Sequence, residues 1–377
     1  MAVAERDRSI GHPRLPRGQA FVRSVAAMLG FDARVSTLMA LTPQRILEVG
    51  MGFWPAKVLL SAVELGVFSS LGASSKTAEE LRALLGLNPR TIPDFPDTLV
   101  ALGFLERDGD GPAARYRNTP ESAEFLDRRS PAYVGGFLEM ANARLYPFWG
   151  DLTEALRTGK PQNELKRTGT SMFDELYRDP QRLEQFLHAM SGISAGNFTA
   201  FAERFDFSAY RTLCDVGGAT GQLSCLVAGR HAHMRCTTLD LPIVTPIAER
   251  RIAAEGLGDR VTARAIDFFA EPLPKADVIT MGMILHDWNL EKKLHLIRAA
   301  YDALPAGGAF VAIEHLIDDA RRENAFGLMM SLNMLIEFGD AFDFTGADFA
   351  AWCRQAGFSE TRVIPLTPTA SAAVAYK

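Results

Sequence analysis

The sequence predicts an α/β protein whose C-terminal half forms a doubly wound parallel sheet. Strand-like runs occupy residues 212–216, 235–240, 261–266, 277–281 and 309–314, with helical segments between them. Strands that alternate with helices are joined by crossover connections and therefore pair in parallel. The tail from Thr361 to Tyr376 adds two β segments around a turn at 365–369, so we expect a seven-stranded sheet that ends in a hairpin.

The composition is typical of a globular protein with a sizeable core. Of the 377 residues, 47% are hydrophobic and 23% charged, and this length predicts two domains. The net charge of −5 argues against a polyanion as the main partner. Cys214, Cys225, Cys236 and Cys353 show no C-x-x-C pair, which fits free thiols in a reducing compartment. Without an apolar signal core or a run of about 20 apolar residues, we expect a cytoplasmic protein that does not span a membrane.

The N-terminal part is predicted to be mostly helical. From Pro43 to Leu71 the pattern is helical, and the stretch 54–68 is apolar on more than one face. A helix of that kind has to be covered on both sides, which a second subunit could do. The domains that we infer are a mobile arm at 1–20, a helical domain at 21–130, a helical region at 131–207 that lines a site, and the sheet domain at 208–377.

Two short helices and a hairpin follow within the helical domain. Thr77 and Glu80 form a capping box, and the helix that they start ends at Gly86. A second helix runs from about Ile92 to Leu102. Residues 104–107 and 115–117 flank a glycine- and aspartate-rich turn and predict a hairpin, which completes a winged helix.

A winged helix raises the possibility of DNA binding, so the charge of its second helix matters. That helix carries Asp94 and Asp97 and contains no Lys or Arg. Phosphate contacts dominate the affinity for nucleic acids, and an acidic recognition helix repels phosphates. We therefore expect no nucleic-acid partner, and a winged-helix regulator is only a distant alternative.

The most informative motif is the glycine turn that follows the 212–216 strand. Small residues there let the backbone approach a ligand, and the helix from Gln222 offers unpaired N–H groups. A dinucleotide fingerprint, G-x-G-x-x-G, fails because its second and third glycine positions hold Ala219 and Gln222. The pattern acid-x-Gly-x-small-x-Gly of S-adenosylmethionine sites is met by Asp215, Gly217, Ala219 and Gly221. We interpret the turn as a methyl-donor site; the alternative is a strand-turn-helix junction without a ligand.

Acids at the ends of the next two strands extend this site. In a doubly wound sheet, ligands bind outside the carboxyl ends of the strands. Asp240 ends its strand about 20 residues after the turn, where an acid can accept from both ribose hydroxyls. Asp267 precedes Phe268 and Phe269, and there a carboxylate can accept from an adenine amino group beside an aromatic ring. The alternatives are a helix cap for Asp240, and a solvent-facing acid with core phenylalanines for Asp267.

The catalytic candidate is His286, which follows the fourth strand. Methyl transfer to a phenol requires removal of a proton with a pKa of about 10, and an imidazole suits that task near neutral pH. A catalytic histidine needs an acid to orient it, and Glu314 and Asp343 are the candidates, with Glu337 a weaker one. Asp287 is a candidate cap for the helix that follows. His286 could equally be a core or surface histidine, since the chain has seven.

Together these motifs resemble the small-molecule O-methyltransferases. That family includes plant caffeate and flavonoid enzymes, acetylserotonin methyltransferase, and bacterial relatives in polyketide and phenazine pathways of secondary metabolism. The acid-Val-Gly-Gly-x-x-Gly turn, the later His-Asp-Trp and the helical domain in front carry the resemblance, from about residue 40 to 377. It implies a Rossmann-like class I methyltransferase sheet preceded by a helical dimerisation domain with a winged helix, and a homodimer.

The resemblance also implies roles for individual residues. The residues that it implies for binding S-adenosylmethionine are Asp215, Gly217, Gly218, Gly221, Asp240, Leu241, Asp267 and Phe268. His286 becomes the general base, flanked by Glu314 and Asp343. The residues implied for the pocket of the methyl acceptor are Phe173, Phe186, Met190 and Met334, whose apolar side chains core packing would explain equally well.

Three positions depart from the plant pattern. Ala219 replaces a common glycine, Gly282 stands where many members carry a cofactor-contacting Lys, and Phe344 occupies a position often held by Arg. Because no metal-ligand spacing is present, we expect a metal-independent enzyme that methylates a hydroxyl of an aromatic or polyketide-like molecule. The alternatives are a C- or N-methyltransferase and an S-adenosylmethionine-dependent hydroxylase on the same fold.

Overall fold

The structure of the protein, a computed structural model, describes residues 41–170 and 176–377. The arm expected at 1–20 lies outside the described residues. The chain divides into two compact units between Glu139 and Met140. The finer division with a separate region at 131–207 stays a prediction.

The first unit is mostly helical, as expected. Its helices are Gln44–Gly50, Phe53–Glu64, Val67–Leu71, Ala78–Leu85, Asp94–Ala101, Pro120–Phe125 and Gly135–Met140. The predicted capping box is confirmed, because the Thr77 hydroxyl accepts from the Glu80 N–H while the Glu80 carboxylate accepts from the Thr77 N–H. Gly86 ends that helix with φ at +66°, in the left-handed region that favours glycine.

A small antiparallel sheet completes the first unit. Its strands are β1 (Lys76–Thr77), β2 (Leu105–Asp108) and β3 (Arg115–Asn118), in the order β1-β3-β2. The predicted hairpin is therefore present as β2 and β3. The acid Asp97 on the preceding helix is paired, since Tyr116 donates to it at 2.7 Å and Arg107 lies 2.9 Å from it.

An apolar surface lies at the start of this unit. The helical stretch Gln44–Glu64 is long and apolar enough to cross a membrane by length and composition alone. The expectation that the chain contains no run of about 20 apolar residues is therefore wrong, because the break in the helix at 51–52 does not interrupt the apolar run. Its exposed large side chains are Ile46, Val49, Phe53 and Trp54.

The second unit is a doubly wound α/β sandwich. Its helices are Tyr146–Trp149, Leu152–Thr158, Glu164–Thr168, Pro180–Arg204, Gln222–Arg230, Thr245–Ala254, Leu290–Ala303, Ala325–Phe338 and Gly346–Ala356. Its strands are β4 (Thr212–Val216), β5 (Arg235–Asp240), β6 (Val261–Ala265), β7 (Val278–Gly282), β8 (Ala309–Glu314), β9 (Glu360–Pro365) and β10 (Ser371–Tyr376). The order β6-β5-β4-β7-β8-β10-β9 confirms the predicted seven-stranded sheet, which is parallel except for β10, antiparallel to both β8 and β9.

Alternating side chains of the central strands build the core on both faces of this sheet. Along β8, Phe310 packs on one face with the 290–303 and 346–356 helices, and Val311 packs on the other with the 222–230 helix. All six residues of β8 are buried. The four cysteines are buried free thiols, as expected.

The orientation of the Leu290–Ala303 helix differs from the prediction. The sequence places Leu290, Leu294, Ile297, Tyr301 and Leu304 on its buried face. In the structure Leu290 is exposed, and the buried residues within the helix are Lys293, Leu296, Ile297, Ala300 and Ala303. Ile297 and Leu304 are buried as predicted, and the other buried positions, Lys293 among them, lie one residue before the predicted ones.

Candidate active site

The glycine turn connects β4 to the Gln222–Arg230 helix and leaves no room for side chains. A Cβ on Gly217, whose φ is +69°, would collide with Ile284. A Cβ on Gly218 would collide with the hydroxyl of Thr238 and lie 2.7 Å from a carboxylate oxygen of Asp215. Glycine is therefore required at both positions, because the side chains of Ile284, Thr238 and Asp215 approach the backbone of the turn closely.

Backbone and side-chain hydrogen bonds fix this turn to the neighbouring strand. The N–H groups of Gly217 and Gly218 donate to the carbonyl of Leu239 at 2.9 and 3.0 Å. The carboxylate of Asp240 accepts from the N–H of Ala219 at 2.9 Å and from the N–H of Leu241 at 2.8 Å. Asp240 therefore orients the turn. The cap alternative does not hold, because no cap hydrogen bond joins it to the 245–254 helix.

Asp215 lies at the end of β4 beneath the turn. The hydroxyl of Thr280 on β7 donates to its carboxylate at 2.8 Å. Burial raises the pKa of Asp215 to about 7, although this hydrogen bond opposes the shift. Asp215 is 2% exposed, so it supports the turn from inside the sheet.

The third predicted acid, Asp267, lies at the solvent-exposed edge of the site. Asp267 is exposed, and its carboxylate accepts from the N–H of Phe269 at 3.0 Å. The half-buried ring of Phe268 lies 3.9 Å from the position that a Cβ of Gly217 would take. Asp240, Phe268 and the glycine turn therefore lie at the same edge of the sheet, at the carboxyl ends of β4, β5 and β6.

His286 follows β7 in a short turn, Leu285–Asp287, and three carboxylates surround it. Its Nε2 lies 3.3 Å from Asp287, and its Nδ1 lies 3.4 Å from Asp343 and 3.8 Å from Glu314. The side chain is 7% exposed. The structure thus brings together all three residues predicted for catalysis, from the ends of two strands and one loop.

The charges in this cluster shift its pKa values strongly. Burial alone would lower the pKa of His286, but the surrounding carboxylates outweigh burial and raise it to about 10. Burial raises the pKa of Glu314 to about 7, because attraction to the imidazole compensates only part of the lost hydration. His286 and Glu314 therefore bind their protons more tightly than exposed side chains of the same kind would.

Sequence reasoning missed two charged members of this neighbourhood. Asp287 was considered a helix cap, but Asn289 caps the next helix by accepting from the N–H of Lys292 at 3.1 Å. Lys293 lies one turn further on and is fully buried. A lysine three residues before Leu296 and four before Ile297 falls on the buried face, which is the signal that would have revealed it.

Glu337, the weaker candidate, is engaged elsewhere. It accepts from Arg144 at 3.0 Å, and Asn163 donates to its backbone carbonyl at 2.7 Å. Arg144 in turn pairs with Glu164 at 2.6 Å. Glu337 therefore belongs to a buried network on the Ala325–Phe338 helix, and it is not one of the acids in contact with His286.

The same three catalytic candidates could also hold a metal ion. In the described residues, one ligand atom each of His286, Glu314 and Asp343 lie within 4.8 Å of one another. The sequence showed no metal-ligand spacing because these residues are far apart along the chain. The positions of these three residues are therefore compatible with a metal ion, and the protonation of His286 bears on whether one binds.

The residues implied for the acceptor are distributed over two helices. Phe186 is half-buried and packs against the same apolar cluster as Ala219 and Leu241. Met190 is half-buried one turn further along the same helix, and Met334 is 5% exposed on the Ala325–Phe338 helix. Phe173 lies outside the described residues. The acceptor roles of all four stay predictions.

Comparison with known proteins places the chain in a family. Residues 149–359 match the O-methyltransferase domain and residues 47–128 the O-methyltransferase dimerisation domain. The tetracenomycin polyketide synthesis 8-O-methyl transferase TcmO of Streptomyces glaucescens is 38% identical, over 89% of this chain and 97% of that protein. The 3-hydroxy-5-methyl-1-naphthoate 3-O-methyltransferase of Streptomyces sahachiroi is 35% identical, over 88% and 94%. The N,N-dimethyltransferase OxyT of Streptomyces rimosus is 34% identical, over 83% and 90%.

A solved structure gives the same assignment. The human N-acetylserotonin methyltransferase in complex with S-adenosylmethionine superimposes with a TM-score of 0.82 at 28% identity, over 91% of this chain and 99% of that one. The chain therefore belongs to the family of S-adenosylmethionine-dependent O-methyltransferases. Like these homologues, it is a methyltransferase.

Proposed function

We propose that this enzyme methylates a hydroxyl of an aromatic or polyketide-like small molecule, with His286 as general base and without a metal ion. The observation that carries the proposal is the position of His286. It lies two residues after Ile284, which covers Gly217 of the donor turn, and three carboxylates surround its ring.

The residues of the turn fit the methyl donor. The buried hydroxyl of Thr238, which lies close to Gly218, lacks a partner among the described residues and can hydrogen-bond to a ligand. The carboxylate of Asp240 has lone pairs left after its two N–H donors, and these can accept from ribose hydroxyls. Bound S-adenosylmethionine supplies an electrophilic methyl group. We assign Asp267 and Phe268, at the same edge of the sheet, to the adenine.

The catalytic step that we assign to this chain is the removal of the acceptor's proton. A phenol has a pKa of about 10, and the pKa of His286 is also about 10. Transfer of the proton to the neutral imidazole is therefore roughly balanced in free energy, and because this pKa keeps most of the imidazole protonated at pH 7, turnover should rise with pH. Glu314 and Asp343 face Nδ1 and stabilise the imidazolium that forms.

We propose that this step needs no metal ion. A metal ion at His286, Glu314 and Asp343 would have to displace the proton that the imidazole holds so tightly. We expect unchanged turnover after dialysis against EDTA, and less than stoichiometric metal by mass spectrometry. Loss of turnover that zinc or magnesium restores would contradict this part of the proposal.

The test of the reaction is direct. The enzyme is incubated with S-adenosylmethionine and a panel of hydroxylated naphthoates, anthraquinones and simple phenols, and S-adenosylhomocysteine is quantified. The methylated atom is then identified by mass spectrometry and NMR. We expect an O-methyl product, and exclusive methylation of carbon would contradict the proposal.

A second candidate is transfer to nitrogen, which the 34% identity to the N,N-dimethyltransferase OxyT favours. The same panel extended with aryl amines distinguishes the two reactions. An amine that is methylated at least ten times faster than every phenol would favour this alternative.

We also propose that the enzyme is a homodimer. The apolar side chains of Ile46, Val49, Phe53 and Trp54 are exposed within or beside the segment that matches the dimerisation domain. A second copy that covers them would remove their contact with water. Insertion of this apolar helical stretch into a membrane is the competing explanation. A cytoplasmic location stays a prediction, which fractionation of producing cells would check.

A further inference from the structure

Lys293 is a buried charge to which the proposed reaction assigns no task. Its ammonium group donates to the carbonyl of Trp288, in the turn that contains His286. It also lies 3.7 Å from the ring centroid of Phe342, next to Asp343 in the chain. One ammonium group therefore joins the two segments that present the base and one of its acids.

The surroundings of Lys293 are rich in negative charge. Four carboxylates from three places act on it: Asp287 on the turn, Glu314 at the end of β8, and Asp340 and Asp343 on the loop after the 325–338 helix. Glu337 on that helix acts on Asp287 but is paired with Arg144, and His315 is the other histidine near the cluster. Lys293 and His286 thus share one acidic cluster.

This arrangement costs stability. Burial lowers the pKa of Lys293 to about 8 in spite of its acidic neighbours, so the fold disfavours the charged form overall. A methionine of similar length would fill the same space without a buried charge. Stability alone does not account for a lysine at this position.

We propose that Lys293 is a positioning residue. It holds the turn of His286 against the loop of Asp343 and offsets part of the negative charge around the imidazole. The neutral imidazole, which is the form able to accept a proton, is thereby available at lower pH. This inference rests on the proposed role of His286 as general base.

The test compares the pH dependence of kcat for the wild type, Lys293→Met and Lys293→Arg. For Lys293→Met we expect about a tenfold loss of kcat at pH 7, a difference that closes above pH 8, where the wild-type ammonium loses its proton. Affinity for S-adenosylhomocysteine should not change. Lys293→Arg, which keeps the charge, should restore most of the activity at pH 7.

A matched control is Lys292→Met, which removes a charge from the exposed neighbour. Its pH profile should follow that of the wild type in shape. An independent readout is the NMR titration of the His286 ring, which should move to higher pH in Lys293→Met. A pH profile of Lys293→Met parallel to the wild type, or an equal effect of Lys292→Met, would overturn the proposal.

Additional variants distinguish a folding defect and a wrong base assignment from a failure of the lysine inference. If Lys293→Met does not fold, Lys293→Gln takes the same test, and the same shift is expected. If His286 is not the general base, the variant His286→Ala keeps its turnover. Failure of the lysine inference alone shows as an inactive His286→Ala together with an unshifted Lys293→Met.

Discussion

Glu314 holds the turn of His286 with one carboxylate oxygen and faces the imidazole with the other. Its Oε1 accepts from the N–H of Leu285 at 2.9 Å, while its Oε2 lies 3.8 Å from His286 Nδ1. Because Glu314 is 1% exposed, little water screens this pair. The backbone of the turn and the charge of its histidine are thus tied to the same strand end.

Replacement of Glu314 by Gln should move the pH profile to lower pH. The carboxylate raises the pKa of His286, so its loss lowers that pKa and yields the neutral imidazole at lower pH. We expect the acidic limb of log kcat against pH to shift down by about one unit. Glu291→Gln, on the exposed start of the next helix, should leave the limb unchanged. An upward shift in Glu314→Gln would contradict the assignment.

His286→Ala should separate donor binding from chemistry. A positioned general base contributes about 10²–10⁴-fold to a rate, so kcat should fall within that range. The affinity for S-adenosylhomocysteine, measured by calorimetry, should stay within about twofold, because the turn at Gly217 and Gly218 is untouched. His188→Ala, at an exposed position on the Pro180–Arg204 helix, serves as the control. Turnover like that of the wild type in His286→Ala would rule out its role as base.

Gly218→Ala should damage the donor site. The added methyl group would collide with the hydroxyl of Thr238 and crowd the carboxylate of Asp215. Overpacking of this kind costs about 1–3 kcal/mol, and we expect calorimetry to show at least tenfold weaker binding of S-adenosylhomocysteine. Gly229→Ala is the matched control, since a Cβ at Gly229 in the next helix meets nothing within 4 Å. Equal binding by both variants would show that the turn has no part in donor binding.

Asp215 should make the ligand-free protein less stable as the pH rises. Its pKa is about 7 in the fold, above the ordinary value of 3.8, so the folded state binds the proton more tightly. The free energy of unfolding is therefore highest below about pH 4 for this group and falls as the pH approaches 7. Asp215→Asn, which still accepts from Thr280, should weaken this decline of Tm in calorimetry between pH 4.5 and 7.5. An unchanged slope would mean that Asp215 titrates normally.

Trp54→Glu should weaken the homodimer. Trp54 is 50% exposed and packs edge to face against Phe53, so a charge there would be buried if a second copy covers the pair. We expect a shift to monomer at micromolar concentrations in light scattering. Leu165→Glu, an exposed leucine of the second unit, should remain dimeric. A wild type that is monomeric and sediments with membranes would favour the competing explanation.

Much of the sheet was predictable because strands and helices differ in period. The runs at 212–216, 235–240 and 309–314 match the observed strands in full. Asp215, Asp240 and His286 were predictable for the same reason, since parallel strands bring their carboxyl ends to one edge.

The rest of the site depends on contacts between distant segments. Lys293 was missed because a lysine on an amphipathic helix is normally assigned to the solvent side. The pairing of Asp287 with His286, and of Asn289 with the helix start, depends on a turn whose dihedral angles no periodicity encodes. The metal-compatible geometry of three remote residues likewise emerges only in three dimensions.

The location of Glu314 on β8 links catalysis to global unfolding. β8 is buried along its whole length between β7 and β10, so its amides should be among the last to exchange with solvent. An acid held there cannot leave the imidazole through local fraying of the sheet. Heating should therefore abolish turnover together with the cooperative loss of the sheet, without an earlier inactivated state in which the fold survives and the charge cluster has come apart.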